Sequence, residues 1–292
     1  MANLVLDVEQ PSRPALRLEV AGRGLLVLRH DDTVTLMARV DDNHYGVEYA
    51  MTGHYRSPVP PIRAAHAAAV GAASPARWAY HFAASLTGGP LHTGRWAISV
   101  EVPRLRPTER WAELLLPQPQ GEIDWFMDNG AWQILPLHPL ASVDAGRVKA
   151  YRKQARDGIL PPVLLWWVSG LDCYVVLDGH DRLVAALAED REPPLLALSS
   201  VDTDQVARDT EDALSRYTTT TQGLDRQITA GSPGAEAALV AVDRRLADTL
   251  QTIESRYGTT RAWPLRGGTP QWNALAREHL PAWPSGLIGL QA

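Results

Sequence analysis

With 292 residues the chain is long enough to bury a sizeable core, as one large domain or two smaller ones. Its 45% hydrophobic and 21% charged content excludes wholesale disorder and a fibrous architecture. A formal net charge of -5 argues against broad electrostatic attraction to nucleic acid or an anionic membrane, and the single cysteine, Cys173, excludes an internal disulfide and a cysteine-based metal site.

The first residues lack the basic start and apolar run of a secretory signal. The most apolar stretch, residues 159–177, is broken by Pro161, Pro162, Gly170 and Asp172, so no bilayer-spanning helix is expected and a cytoplasmic protein is. Residues 25–28, 34–40 and 46–49 are short β-prone runs separated by Asp31-Asp32 and Asp41-Asp42-Asn43, the pattern of hairpins. Pro58, Pro60 and Pro61 precede an alanine-rich stretch at 62–70 with helical character. Residues 95–102 alternate as a half-buried strand does, and the proline-rich residues 104–120 read as irregular. Residues 1–130 are thus expected to form a β-rich N-terminal domain carrying one or two helices.

From Trp132 the pattern changes. A short strand ending at Leu135 is followed by Pro136 and by a helix over 143–156, with Asp144 near its start and Gly158 beyond its end. Pro161-Pro162, a strand at 163–168, a turn at Ser169-Gly170, a strand at 173–177, the Asp178-Gly179 loop, a helix through Ala188 and a strand at 195–198 complete a second domain over residues 131–200. Residues 201–292 read as a helical C-terminal segment, with apolar residues at three- and four-residue spacing over 204–217 and 235–257. Leu239, Val242, Leu246, Leu250 and Ile253 form one stripe suited to a core or a partner-helix seam. Trp263, Trp272 and Trp283, set among prolines, are expected to fold back over the body. The fold class is α+β.

The segment Asp178-Gly179-His180-Asp181-Arg182 holds the most chemistry. Gly179 permits a tight turn, the following helix offers unpaired backbone N–H groups, and Arg182 adds a planar donor fork suited to phosphate or carboxylate. The plainer alternative makes Asp181 a helix cap, pairs Arg182 with Asp178 on the surface, and leaves Gly179 a turn glycine. Elsewhere, His44, His54, His66, His81 and His92 lack the spacing of a metal pair. Arg152, Lys153 and Arg156 form a basic cluster that reads as a solvated helix face, and Gly267-Gly268-Thr269 lacks the lysine of a phosphate loop.

Taken in order, Ile134 to Leu137, the helix 147–156, the run 158–165, the strand 174–177 and the loop 178–182 resemble the ParB/sulfiredoxin superfamily. The resemblance covers about a quarter of the chain. It implies a mixed-sheet domain that holds phosphate at the loop and helix start: ParB proteins bind cytidine triphosphate and DNA, sulfiredoxins use ATP to repair a cysteine, and free-serine kinases of this fold phosphorylate an amino acid. By this resemblance Gly179 and Arg182 take the phosphate-binding position, with Asp181 beside them at the cofactor. Asp178 matches the loop aspartate of the kinase-like branch. Asp178 or Asp181 would hold Mg²⁺, and Asp178 and His180 would be catalytic, His180 assisting proton transfer. The implied cofactor is a nucleotide (ATP, ADP or CTP) with Mg²⁺.

Two departures bear on function. His180 stands where sulfiredoxin has its cysteine, which argues against that chemistry. Asp181 stands where many relatives have a basic residue, so phosphate there calls for a bridging metal. Residues 202–217 show no recognition helix. The expectation is a nucleotide-binding protein, a phosphotransferase acting on a small hydroxylated molecule. The alternatives are a non-catalytic nucleotide-sensing or protein-interaction module and, second, a DNA-binding ParB-type protein. A homo-oligomer or protein partner is compatible with each.

Overall fold

A computed structural model of the protein describes residues 3–9, 14–22, 24–41, 46–71, 75–100, 111–125, 133–254 and 258–283. In chain order the elements are β1 (Asn3–Val8), β2 (Leu16–Ala21), β3 (Leu25–His30), β4 (Thr33–Asp41), β5 (Gly46–Met51), α1 (Ala64–Val70), α2 (Pro75–Leu86), β6 (Gly94–Ser99), β7 (Gln120–Asp124), β8 (Ile134–Pro136), α3 (Gly146–Arg156), β9 (Val163–Val168), β10 (Cys173–Asp178), α4 (His180–Ala188), β11 (Leu195–Val201), α5 (Thr203–Thr229), α6 (Ala235–Glu254), β12 (Ala262–Pro264) and α7 (Gly268–His279). The turn residues Asp42 and Asn43, His44, residues 104–110 of the irregular stretch, and Trp132 lie outside the described residues.

The fold is α+β. One mixed sheet has the order β1-β6-β11-β9-β10-β8, and a second has the order β12-β2-β3-β4-β5-β7. In the first, β10 runs antiparallel to β9, with Tyr174 opposite Trp167, and parallel to β8, while β11 runs parallel to β9. Every residue of β9 is buried, which a strand tolerates only when both faces of its sheet are covered. On one face, Leu164, Trp166, Val175 and Leu177 enter a core shared with Leu18, Leu28, Leu36 and Tyr49 of the second sheet and with Trp78 and Phe82 of α2. The other face meets α4, which packs on α3 through Val148, Val184 and Ala185.

The described chain divides into two compact units, one up to Ser200 together with residues from Thr259 onward, the other Val201–Gly258. β1 and β6, which lie within the expected N-terminal domain, are strands of the same sheet as β8 to β11 and place Leu6, Val8, Trp96 and Ile98 in the shared core. Residues from Thr259, expected with the helical C-terminal segment, likewise belong to the first unit. There β12 adds to β2, and α7 lays Trp272 and Leu275 over Leu25, Val27 and Met37, with Trp272 Nε1 donating to the Leu26 carbonyl at 3.0 Å.

In the second unit α5 and α6 pack side by side, Asp202 caps α5 by accepting from the Gln205 amide, and Tyr217 donates to Asp243 at 2.8 Å. Of the apolar stripe on α6, Ile253 is buried and Leu239, Val242, Leu246 and Leu250 are partly buried. Among the described residues, no helix is long and apolar enough to cross a membrane.

Candidate functional site

β10 delivers Asp178 at its end, and the chain turns on Gly179, whose φ of 101° and ψ of 22° lie in the left-handed region that favours glycine. Gly179 is the N-cap of α4 and offers no side-chain cap, so the first amides of that helix are left without one. Arg182, one turn in, folds back over the glycine: a Cβ built on Gly179 would stand 2.7 Å from Nη2 and 2.9 Å from Nε of that guanidinium. Any side chain at residue 179 would therefore evict Arg182.

The Arg182 side chain is only 3% exposed and pairs with the Asp178 carboxylate through Nη2, while its Nε–H is buried without a hydrogen-bond partner among the described residues. Ser57, far away in sequence, donates from Oγ to the other Asp178 oxygen at 2.8 Å. Tyr55 secures the same loop by donating to the Leu177 carbonyl at 2.6 Å, and burial, then the nearby Asp178 charge, pushes its phenol well above the ordinary range. Asp178 is thus held between a guanidinium and a hydroxyl, an arrangement that allows a carboxylate to accept a hydroxyl proton beside a positive charge.

Histidines surround this corner. The buried His180 accepts a hydrogen bond at Nε2 from the Leu137 amide, 3.1 Å away, which places its proton on Nδ1. Its ring stacks on His138 with centroids 3.9 Å apart, and burial, then His138 and Arg182, hold its pKa well below the usual histidine range. His66 of α1 and His81 of α2 lie with ring centroids 4.7 Å apart. His81 Nε2 is buried without a partner among the described residues; burial, then His66 and Arg182, lower its pKa against an opposing pull from Asp178.

Asp178, Gly179 and Arg182 therefore form one constellation, as the motif implies they must. His180 adjoins it with its acceptor nitrogen already committed to the backbone, so as placed it is a positioning group, holding the β8 end to α4, rather than a free base. Asp181 turns elsewhere: its carboxylate meets Arg147 of α3 at 3.5 Å. Because Asp178 answers to Ser57 and Arg182 and Asp181 to Arg147, the two carboxylates do not fit a resident Mg²⁺, which seeks several oxygens at short range. The described residues contain no group of three or more His, Cys, Asp or Glu side chains suited to a metal. Of the basic cluster of α3, Arg152 and Arg156 both bind Glu189, at 2.6 and 2.7 Å, and hold its carboxyl below the ordinary range.

Ser57, Tyr55 and His81 are the site-lining groups that motif reading passes over. A signal for His81 exists: Trp78, Ala79, Phe82, Ala83 and Leu86 repeat at helical spacing behind Pro75, which defines α2 and puts His81 beside its buried face. Ser57 and Tyr55 sit in a loop without regular structure and carry no such signal. No family model matches the chain, and no match is found among curated proteins or solved structures.

Proposed function

We propose that this protein binds a nucleotide at the Asp178–Arg182 corner, in the manner of the ParB/sulfiredoxin superfamily, and transfers a phosphoryl group to a small hydroxylated molecule. The observation that carries the reading is Arg182, whose buried Nε–H lacks an acceptor among the described residues at the very turn where α4 begins. Leaving such a donor unmatched costs about 1–3 kcal/mol, which a phosphate oxygen in the corner recovers. The α4 amides favour the same negative charge.

In this reading Arg182 neutralises phosphate charge and Asp178 accepts the proton of the attacking hydroxyl, whose place beside the carboxylate Ser57 now marks. His180 positions the loop through Leu137, and Mg²⁺ arrives with the nucleotide rather than waiting on Asp178 and Asp181. A second reading, a non-catalytic nucleotide-sensing or protein-interaction module, is favoured by the Asp178–Arg182 pair itself, which already matches the guanidinium charge internally.

A thermal-shift panel of ATP, ADP and CTP, each with and without Mg²⁺, tests the proposal, since a ligand that binds only the folded state must stabilise it. One of these at saturation is expected to raise Tm by about 5 °C or more, and Arg182→Lys, which keeps the charge but loses the fork, is expected to remove most of that shift. If none moves Tm, the proposal fails. Phosphoryl transfer to hydroxylated acceptors then separates the enzyme from the sensor.

A further inference from the structure

The face of the second sheet turned away from the shared core is apolar at one end and charged at the other. Along β2, Leu16 and Leu18 enter that core, so Arg17 and Glu19 point to the opposite side, where Arg17 lies across the ladder from Arg29 of β3. Arg17 Nε donates to one Glu19 oxygen and Arg29 Nε to the other, both at 2.7 Å, with side chains only 3%, 13% and 8% exposed for Arg17, Arg29 and Glu19. Burial pushes the Glu19 carboxyl up, but the hydrogen bonds from Arg17 and Arg29 outweigh it and hold the carboxyl below its ordinary range. One carboxylate is therefore shared between two guanidinium groups, and the exposed Asp32 carboxylate also reaches Arg17, at 3.5 Å, so the positive excess at this face comes from Arg266 beside the network.

Such a network is a poor stabiliser, because the desolvation of three buried charges roughly cancels their attraction. Beside the network the sheet is sealed by Leu265, which precedes α7, and by Trp272 and Leu275 of α7. Over the network it is not sealed: a cavity of about 660 Å³ opens there, lined by Arg17, Glu19, Arg29, Trp263, Arg266 and Gln271 among others. Its size lies within the range of roughly 300–1,000 Å³ typical of small-molecule sites, and its lining combines an indole with three arginines against one carboxylate.

We propose that this cavity binds a small organic anion, with phosphate or carboxylate oxygens on Arg29 and Arg266 and a planar ring beside Trp263. Guanidinium forks match both oxyanions, and Glu19, anchored by Arg17, fixes the direction of Arg29. A cation is disfavoured by the arginine excess, to which Arg261, 5.1 Å over one face of the Trp263 ring, adds, and a bare inorganic ion leaves most of the volume unused. The site belongs to the outer face of the second sheet and does not depend on the reading given to Asp178 and Arg182.

Titration calorimetry on the full chain with phenyl phosphate, benzoate, phenol and inorganic phosphate tests it. Phenyl phosphate or benzoate is expected to bind, the stronger of the two identifying the anion, while phenol, which lacks the charge, and inorganic phosphate, which lacks the ring, bind at least tenfold more weakly. Arg266→Glu, at an exposed position that leaves the fold intact, and Trp263→Ala are each expected to weaken binding at least tenfold, whereas Asp178→Asn leaves it unchanged. The proposal is overturned if neither aromatic anion binds, if binding survives both cavity substitutions, or if it falls instead with Asp178→Asn.

Discussion

His180 shows how a residue in a functional motif can be committed to structure. Its Nε2 lone pair holds the Leu137 amide, and burial, His138 and Arg182 keep the ring neutral. An unfolded histidine titrates near 6.5, so as pH falls below that value the unfolded chain takes up a proton that the folded chain refuses. Stability from this group is present above pH 6.5 and is lost on acidification, by at most about 1.4 kcal/mol per pH unit. His81 and His92, whose pKa values are lowered chiefly by burial, push the same way. Urea unfolding at pH 7.5, 6.5 and 5.5 is expected to show falling stability, with a shallower slope in His180→Gln, which keeps an acceptor for Leu137 but cannot titrate. Equal slopes in the two proteins would remove His180 from the account.

The element scale separates what local sequence determines from what tertiary packing decides. β9, β10, α4 and β11 are legible because each carries its own signal: an apolar run bounded by Pro161-Pro162, a turn at Ser169-Gly170, then Gly179 where a left-handed residue is needed. α2 is less legible because two of its five buried residues are alanine, although Pro75 and the spacing of Trp78, Phe82 and Leu86 betray it. α5 extends to Thr229, well past the apolar spacing that ends near Tyr217, through a threonine run whose hydroxyls bond back to carbonyls one turn earlier. The tryptophan-rich tail is legible as packing, and its partner emerges only in three dimensions, where Trp272 reaches the Leu26 carbonyl of a strand near the other end of the chain. Trp272→Ala removes a ring that is 3% exposed together with its hydrogen bond, and is expected to cost about 3–5 kcal/mol by denaturant unfolding. A loss under about 1 kcal/mol would mean that α7 does not seal the second sheet.

At the scale of the whole molecule, the partnership of β1 and β6 with β11 is the feature that local reading reaches least. Strand pairing across so long a separation depends on which sheet edge is open, not on any pattern within the strand. The same non-local assembly builds the candidate site: a loop before α1 supplies Ser57 and Tyr55, α2 supplies His81, and the Asp178-Gly179 turn supplies the rest. The motif and a pairing of Arg182 with Asp178 are both visible in sequence; that the pair lies buried over Gly179, rather than on the surface, is not. The net charge of -5 gives phosphate no general attraction, so the proposed nucleotide binding relies on local groups such as those of that corner. The central claim is best tested by following the Arg182 Nε–H resonance, assigned by its loss in Arg182→Lys, during titration with ATP, ADP and CTP in the presence of Mg²⁺. The account expects this signal to shift saturably with one of the nucleotides; a signal that stays in place while nucleotide binds, or at millimolar nucleotide without binding, would contradict it.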